Sequence, residues 1–135
     1  MQSGSGQGTL RVAVIEDQEQ IREGLRVLID ESPGCGCTSA CGTMEDALLQ
    51  FGRVAPQVAL VDIGLPVLSG YDVAREVRTR MGRSDIFLVA LTGYGQQQDR
   101  EAVIEAGFDQ HLVKPVDIDT LLEVLRGRRT LRGPS

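Results

Sequence analysis

Long hydrophobic runs, an excess of positive charge and an export signal are all missing from this sequence. No apolar run approaches the roughly 20 residues that a membrane span requires. The 19 acidic residues outnumber the 14 basic ones, for a formal net charge of -5, which argues against direct nucleic-acid binding and fits cations or basic partners. The first residues, MQSGSGQG, lack the apolar core of a signal peptide. We therefore expect a cytoplasmic protein with no membrane partner.

Cysteine and histidine are too scarce to favour a zinc site. Cys35, Cys37 and Cys41 form no CxxC pair, and the single histidine, His111, is far away in the sequence, whereas zinc takes about four ligands. The three cysteines share one parity, which places them on one face of a strand. We interpret them as small buried hydrophobic residues with reduced thiols.

The 135 residues suffice for one domain with a hydrophobic core. Residues 1–9 are rich in Gly, Ser and Gln and are interpreted as a flexible tail or a cloning remnant. Residues 10–128 are expected to form the folded domain, and residues 129–135 a C-terminal tail. No internal repeat and no long linker divides the chain.

Five apolar runs of strand length alternate with five stretches of helical periodicity. Strands apolar along their whole length are buried on both faces, which predicts a parallel sheet with helices on each side. The predicted strands are residues 10–17, 35–41, 58–62, 86–92 and 111–114, and the predicted helices are residues 19–30, 43–52, 71–80, 99–107 and 117–129.

Polar residues occur where these strands end. Glu16 and Asp17 end the first strand, Asp62 the third, Thr92 the fourth and Lys114 the fifth. Ligands of such sheets bind outside the carboxyl ends of the strands. This edge is therefore the best candidate for a functional site.

The side chains at this edge suit phosphoryl chemistry. Three carboxylates without His or Cys ligands favour a hard cation such as Mg²⁺. A metal, a lysine and a hydroxyl together can hold a phosphoryl group. A carboxylate can also act as the nucleophile and become an aspartyl-phosphate, and Asp62, between the acidic pair and the Lys114 side, fits that role.

The segments VIED, VDIGLPVLSGYDV, ALTGYG and HLVKPVD together resemble the receiver domain of two-component response regulators, over roughly residues 10–128. The resemblance implies a flavodoxin-like doubly wound sheet of five parallel strands in the order 2-1-3-4-5 with five helices. It implies a signalling domain rather than a metabolic enzyme. Such a domain takes a phosphoryl group from a histidine kinase or phosphotransfer protein and catalyses only its own phosphorylation and dephosphorylation.

The resemblance also assigns roles at the edge of the sheet. It implies phosphorylation of Asp62, with Mg²⁺ bound by Asp17, Asp62 and the backbone carbonyl of Gly64, and with Glu16 acting mainly through water. Thr92 would bind a phosphoryl oxygen after switching. Lys114 would pair with the phosphate, and the bond from Lys114 to the following proline is usually cis in the family.

The family also has characteristic surfaces. The first helix is its usual kinase-docking face. The fourth helix, fifth strand and fifth helix form its usual output and homodimer face, through which an effector domain or protein responds. Because no effector follows Leu125, we expect a stand-alone receiver or one cut from a hybrid kinase or transcription regulator.

The sequence departs from the family pattern at several positions. The acidic pair is Glu-Asp rather than Asp-Asp, Val67 and Leu68 replace a usual Met-Asp or Met-Asn pair, and His111 occupies the aromatic switch position. Tyr94 is either a partner contact or a surface aromatic. The remaining acids near helices, Asp72, Asp99 and Asp109, are interpreted as solvated.

Two other functions stay open at this point. A pseudo-receiver would act as an interaction module without phosphorylation, although such domains tend to lose the acids or the lysine that this chain has. A haloacid-dehalogenase-type phosphohydrolase would need a second Asp two residues after Asp62, where this sequence has Gly64.

Overall fold

The computed structural model describes residues 9–64, 70–93 and 100–128. Within them, five strands alternate with five helices. All strand pairs are parallel, in the order β2-β1-β3-β4-β5, which confirms the predicted topology. The elements are β1 (Leu10–Ile15), α1 (Glu19–Glu31), β2 (Cys35–Cys41), α2 (Met44–Arg53), β3 (Val58–Asp62), α3 (Gly70–Arg78), β4 (Phe87–Thr92), α4 (Arg100–Ala106), β5 (Gln110–Val113) and α5 (Ile118–Gly127).

The sheet is covered on both faces, as the apolar strands predict. One hydrophobic cluster packs α2, α3 and α4 against one face, and its largest buried side chains are Phe51 and Phe108. The other cluster packs α1 and α5 against the opposite face, around Ile29 and Leu121. Strands β3 and β4 are buried along their whole length, whereas the edge strands β2 and β5 are partly exposed.

The predicted arrangement of the three cysteines is wrong in one respect. Cys35 and Cys37 pack against the cluster under α1 and α5, but Cys41 belongs to the cluster on the other face. The cause is a β-bulge in β2, where the pairing with β1 skips Thr38, since one extra residue reverses the alternation of side chains. Burial raises the pKa of all three thiols, that of Cys37 to about 11. Only Cys41 is buried as expected, while Cys35 and Cys37 are half-buried.

The helix ends follow the sequence signals. The Thr43 hydroxyl accepts a hydrogen bond from the Asp46 amide at the start of α2, and the Asp117 carboxylate accepts one from the Thr120 amide at the start of α5. Gly107 follows α4 with a φ of 109°, a left-handed conformation that glycine adopts without strain.

Asp109 is not solvated, contrary to the sequence-based expectation. Its carboxylate is buried, accepts a hydrogen bond from the Leu88 amide at 2.9 Å, and forms an ion pair of 2.9 Å with Arg78. The Arg78 guanidinium also donates to the carbonyl oxygens of Gly107, Arg83 and Ile86. Asp72, by contrast, lies exposed on α3 as expected, beside Arg75.

No helix in the described ranges has the length and hydrophobicity that a membrane crossing requires. Several predictions concern residues outside those ranges. They are the terminal tails at residues 1–8 and 129–135, the loop positions Val67 and Leu68, and the side chains of Tyr94 and Asp99.

Candidate functional site

The fold brings the predicted site residues to one edge of the sheet. Asp62 is the last residue of β3 and Thr92 the last of β4, while Glu16 and Asp17 follow directly after β1 and Lys114 directly after β5. The strands are parallel, so these five positions lie together at their carboxyl ends. The prediction that these five residues lie at one edge of the sheet is therefore confirmed.

Lys114 joins two of the carboxylates. Its ammonium group lies 2.9 Å from Glu16 Oε1 and 3.6 Å from Asp62 Oδ2. Both acids are buried, and only 15% of the lysine side chain is exposed. The positive charge thus compensates two acids that would be costly to bury alone.

Asp17 completes an acidic cluster that can hold a cation. Carboxylate oxygens of Glu16, Asp17 and Asp62 lie within 4.8 Å of one another, and Asp17 is the exposed member. The donor set consists of oxygen alone, which fits Mg²⁺ better than a softer metal. One open side would leave room for the water molecules that Mg²⁺ retains in proteins.

Burial and charge act in opposite directions on the ionisation of this cluster. Burial raises the pKa of Glu16, and the hydrogen bond from Lys114 only partly offsets this. For Lys114, burial alone would lower the pKa, but the hydrogen bond to Glu16 and the charge of Asp62 outweigh burial, and the pKa lies above its ordinary value. Lys114 therefore stays positively charged, and its single charge is outnumbered by the three carboxylates when all of them are ionised, which leaves a net negative charge that a cation can balance.

The Asp62 carboxylate is oriented by the chain that follows it. Its Oδ1 accepts a hydrogen bond of 2.9 Å from the backbone amide of Gly64. Gly70, at the start of α3, packs on the backbone of Asp62 and Ile63 so closely that a Cβ atom would overlap the Asp62 carbonyl oxygen. The Asp62 side chain thus lies on a strand end held by both the loop and the next helix.

Thr92 and His111 occupy neighbouring strands beside this cluster. The buried Thr92 hydroxyl donates a long hydrogen bond of 3.4 Å to the Leu112 carbonyl. His111 is half-buried on β5 and alternates with Leu112, so its side chain lies on the face opposite to α1 and α5. The peptide bond between Lys114 and Pro115 is cis, as the sequence resemblance predicts.

Arg22 is a residue of this region that the sequence analysis missed. From the first turns of α1 its guanidinium donates to the carbonyl oxygens of Glu16, at 2.8 Å, and Asp17, at 3.4 Å. Its position, five residues after Asp17, is the one available signal, because a long side chain one turn into a helix reaches back to the preceding loop.

The family model of the response regulator receiver domain matches residues 12–126. The chain belongs to the response regulator receiver family. This agrees with the fold and with the acids and lysine at the carboxyl edge.

Individual relatives agree with the family assignment. The receiver domain is 32% identical over 112 residues to the two-component response regulator PhoP of Pseudomonas aeruginosa, covering 83% of this chain and 48% of PhoP. It is 29% identical over 115 residues to an uncharacterized 14.6 kDa protein of Leptolyngbya boryana, covering 85% of this chain and 86% of that protein. The chain thus spans about half the length of PhoP.

Solved structures show the same fold. The chemotaxis protein CheY4 of Vibrio cholerae superposes with a TM-score of 0.79 at 21% identity, covering 89% of this chain and 98% of that chain. A CheY-like receiver domain protein of Methanospirillum hungatei gives a TM-score of 0.78 at 21% identity, covering 90% and 94%. The flavodoxin-like sheet order is thereby common to the family and to this chain.

Proposed function

We propose that residues 10–128 are a phosphoacceptor receiver domain that takes a phosphoryl group from a histidine kinase or phosphotransfer protein onto Asp62. The observation that carries the proposal is the single lysine shared by Glu16 and Asp62, beside a third carboxylate at the carboxyl edge of the sheet. An Asp62 oxygen attacks phosphorus, the bond from phosphorus to the donor's histidine nitrogen breaks, and the nitrogen keeps the electron pair. The product is an acyl phosphate on Asp62.

Each residue of the site has a part in this transfer. Asp17, Asp62 and the Gly64 carbonyl would hold Mg²⁺, with Glu16 at its margin. When bound, Mg²⁺ would neutralise charge on the phosphoryl oxygens. Lys114, already 3.6 Å from Asp62, would pair with the phosphoryl group and remain fixed from behind by Glu16. The Thr92 hydroxyl would bind a phosphoryl oxygen.

A groove beside the site offers a place for the phosphate donor. It has a volume of about 680 Å³, runs between α1 and the chain after β5, and is lined mainly by apolar side chains. Because Lys114 forms part of its wall, a helical partner bound there would bring its histidine toward Asp62. The lining residues are Gln18, Ile21, Gly24, Leu25, Leu28, Gly93, Lys114, Pro115 and Val116.

The output is proposed to pass through the surface formed by α4, β5 and α5. Phosphorylation adds charge and acceptor oxygens, which Thr92 can contact, and His111 lies on the adjacent strand. A change there would alter the surface formed by α4, β5 and α5, which is proposed to bind an effector or a second copy of the domain. We place this signalling in the cytoplasm.

Phosphorylation of Asp62 can be tested directly. We expect the protein incubated with acetyl phosphate and Mg²⁺ to gain the mass of one HPO₃ group. When Mg²⁺ is chelated before the incubation, this adduct should not form. Asp62→Asn should abolish the adduct. Asp72→Asn, a change of the same type on the exposed face of α3, should leave it unchanged.

The outcome also separates the alternatives. An adduct that persists at the original level in Asp62→Asn would contradict the assignment of the phosphoacceptor. A protein that binds partners but gains no phosphate under any condition would be a pseudo-receiver. Among the described residues, no observation favours a haloacid-dehalogenase-type hydrolase, because Gly64 occupies the position of its second aspartate.

A further inference from the structure

We infer that Arg22 is a positioning residue that fixes the turn carrying Glu16 and Asp17 and thereby raises the affinity of the site for Mg²⁺. The inference rests on the proposed function, because it concerns the same metal site. Arg22 contacts backbone rather than the acidic side chains. It would act through the geometry of the turn and would not itself touch the metal or the phosphoryl group.

The geometry of the turn gives Arg22 this role. Its guanidinium bridges two successive peptide carbonyls, those of Glu16 and Asp17, at 2.8 and 3.4 Å. From the other side, Glu16 Oε2 accepts a hydrogen bond of 3.2 Å from the Gln18 amide. The Gln18 side chain gives α1 no cap hydrogen bond. The Glu16 amide also donates to the Cys41 carbonyl at 2.9 Å. The segment between β1 and α1 is thus tied to β2 at Glu16, while the carbonyl of Asp17 is held by Arg22.

Asp17 depends on this support more than the other two acids do. Glu16 and Asp62 are buried, and both contact Lys114. In the described part of the chain, the exposed Asp17 carboxylate has no such hydrogen-bond partner. Its position therefore follows from the backbone of the turn, and loosening that backbone would cost metal affinity by disordering one ligand. Groups that orient metal ligands from outside typically contribute about 10–100-fold to affinity.

Gly42, just after β2, provides the space in which the guanidinium lies. A Cβ atom at Gly42 would come within 2.9 Å of Arg22 Nη1. The φ of Gly42 is outside the left-handed region, so alanine suits its backbone. A methyl group at Gly42 would consequently displace the end of the Arg22 side chain while leaving the three carboxylates unaltered.

Four variants test the inference by titration calorimetry with MgCl₂. Arg22→Met keeps the aliphatic part of the side chain, and we expect it to weaken Mg²⁺ binding about 10-fold. Arg22→Lys keeps a single donor nitrogen, and its Mg²⁺ affinity should lie between those of Arg22→Met and the original protein. Gly42→Ala should weaken binding in the same direction. The double variant of Arg22→Met and Gly42→Ala should be no weaker than Arg22→Met alone, since both changes remove one interaction.

Two further measurements distinguish positioning from loss of structure. In Arg22→Met, the rate of phosphorylation by acetyl phosphate should require more Mg²⁺ but reach nearly the original maximum. Arg26→Met is the matched control, because Arg26 lies one turn further along α1 and pairs with Glu23 and Asp30 away from the site. It should leave Mg²⁺ affinity unchanged.

The results that would overturn the inference are specific. One is Mg²⁺ binding by Arg22→Met that is as tight as in the original protein. The other is a double variant in which the effects of Arg22→Met and Gly42→Ala multiply. Either result would show that Arg22 does not position the turn. A failure of the original protein to bind Mg²⁺ at all would instead reject the proposed function, and with it the metal site.

Discussion

At the scale of single residues, two largely buried cations in the described part of the domain, Arg78 and Lys114, differ in how firmly they are bound. Arg78 donates to the Asp109 carboxylate and to three carbonyl oxygens, so its guanidinium is committed to one place. Lys114 is shared between Glu16 and Asp62, at 2.9 and 3.6 Å. The first arrangement suits a structural role, whereas the second leaves the lysine free to exchange one acceptor for a phosphoryl oxygen.

Replacing Asp109 should therefore test the structural pair. Asp109→Ala leaves the Arg78 charge and the Leu88 amide without their buried acceptor, and we expect a loss of about 3–5 kcal/mol in the free energy of unfolding. Asp72→Ala removes a carboxylate that is 41% exposed, in the first turn of α3 beside Arg75, and should cost no more than about 1 kcal/mol. Urea denaturation measures both. Equal, small losses would show that the buried pair contributes little.

These residues also show what local sequence can predict. Glu16, Asp62 and Lys114 each end or directly follow an apolar strand. That position alone was enough to predict that they lie at the same edge of the sheet. Asp109 has no such signal, because its partner Arg78 is 31 residues away and only the packed fold brings the two together. Arg22 escaped prediction for a similar reason, since it binds backbone carbonyls and forms no motif with the acids.

At the scale of elements, the start of α3 is tied to the end of β3. The Gly70 amide donates to the Ile63 carbonyl at 3.3 Å, and Gly70 itself packs on the backbone of Asp62. Backbone atoms cannot move aside as a flexible side chain can. A larger residue at Gly70 would therefore displace the backbone of Asp62, the proposed phosphoacceptor.

Two glycine-to-alanine changes should have opposite effects. At Gly70 a methyl group overlaps the backbone of Asp62 and Ile63, and we expect a loss of about 1–3 kcal/mol and slower phosphorylation by acetyl phosphate. At Gly24, inside α1, no atom other than those of the adjoining helix backbone and chain neighbours lies within 4 Å of the added methyl, and better helix propensity should add up to about 1 kcal/mol. Thermal unfolding measures both. If Gly70→Ala matches Gly24→Ala, the close packing at Gly70 is not important.

The type and order of the helices and strands were more predictable than their exact ends or the β-bulge in β2. Hydrophobic periodicity located each strand and helix because core burial dictates it, and observed ends differ from predicted ends mainly where caps and loops decide. The β-bulge at Thr38 in β2 was not predictable, since CGCTSAC reads as a regular strand. That bulge places Cys41 under α2 while Cys35 and Cys37 remain near α1 and α5.

At the scale of the whole molecule, β4 and β5 connect the site to the outer surface of the sheet. Thr92 pairs with Val113, and the Lys114 amide donates to the Thr92 carbonyl at 2.7 Å. Within the described residues, however, the Thr92 hydroxyl is held only by the 3.4 Å hydrogen bond to the Leu112 carbonyl. Such a long bond is weak, so the hydroxyl can leave Leu112 for a stronger, charged acceptor.

If the Thr92 hydroxyl leaves the Leu112 carbonyl in this way, the surroundings of His111 should change as well. If Thr92 moves toward a phosphoryl group, space opens between β4 and β5, and the half-buried imidazole can enter it, although burial costs free energy unless its N–H finds an acceptor. The difference in Thr92 contacts would drive the change. We expect Mg²⁺ with beryllofluoride, a phosphoryl mimic, to shift the ring resonances of the single histidine. Thr92→Ala should bind the mimic without this shift. Ring signals that stay unmoved on confirmed binding, or that move identically in Thr92→Ala, would exclude His111 from the response.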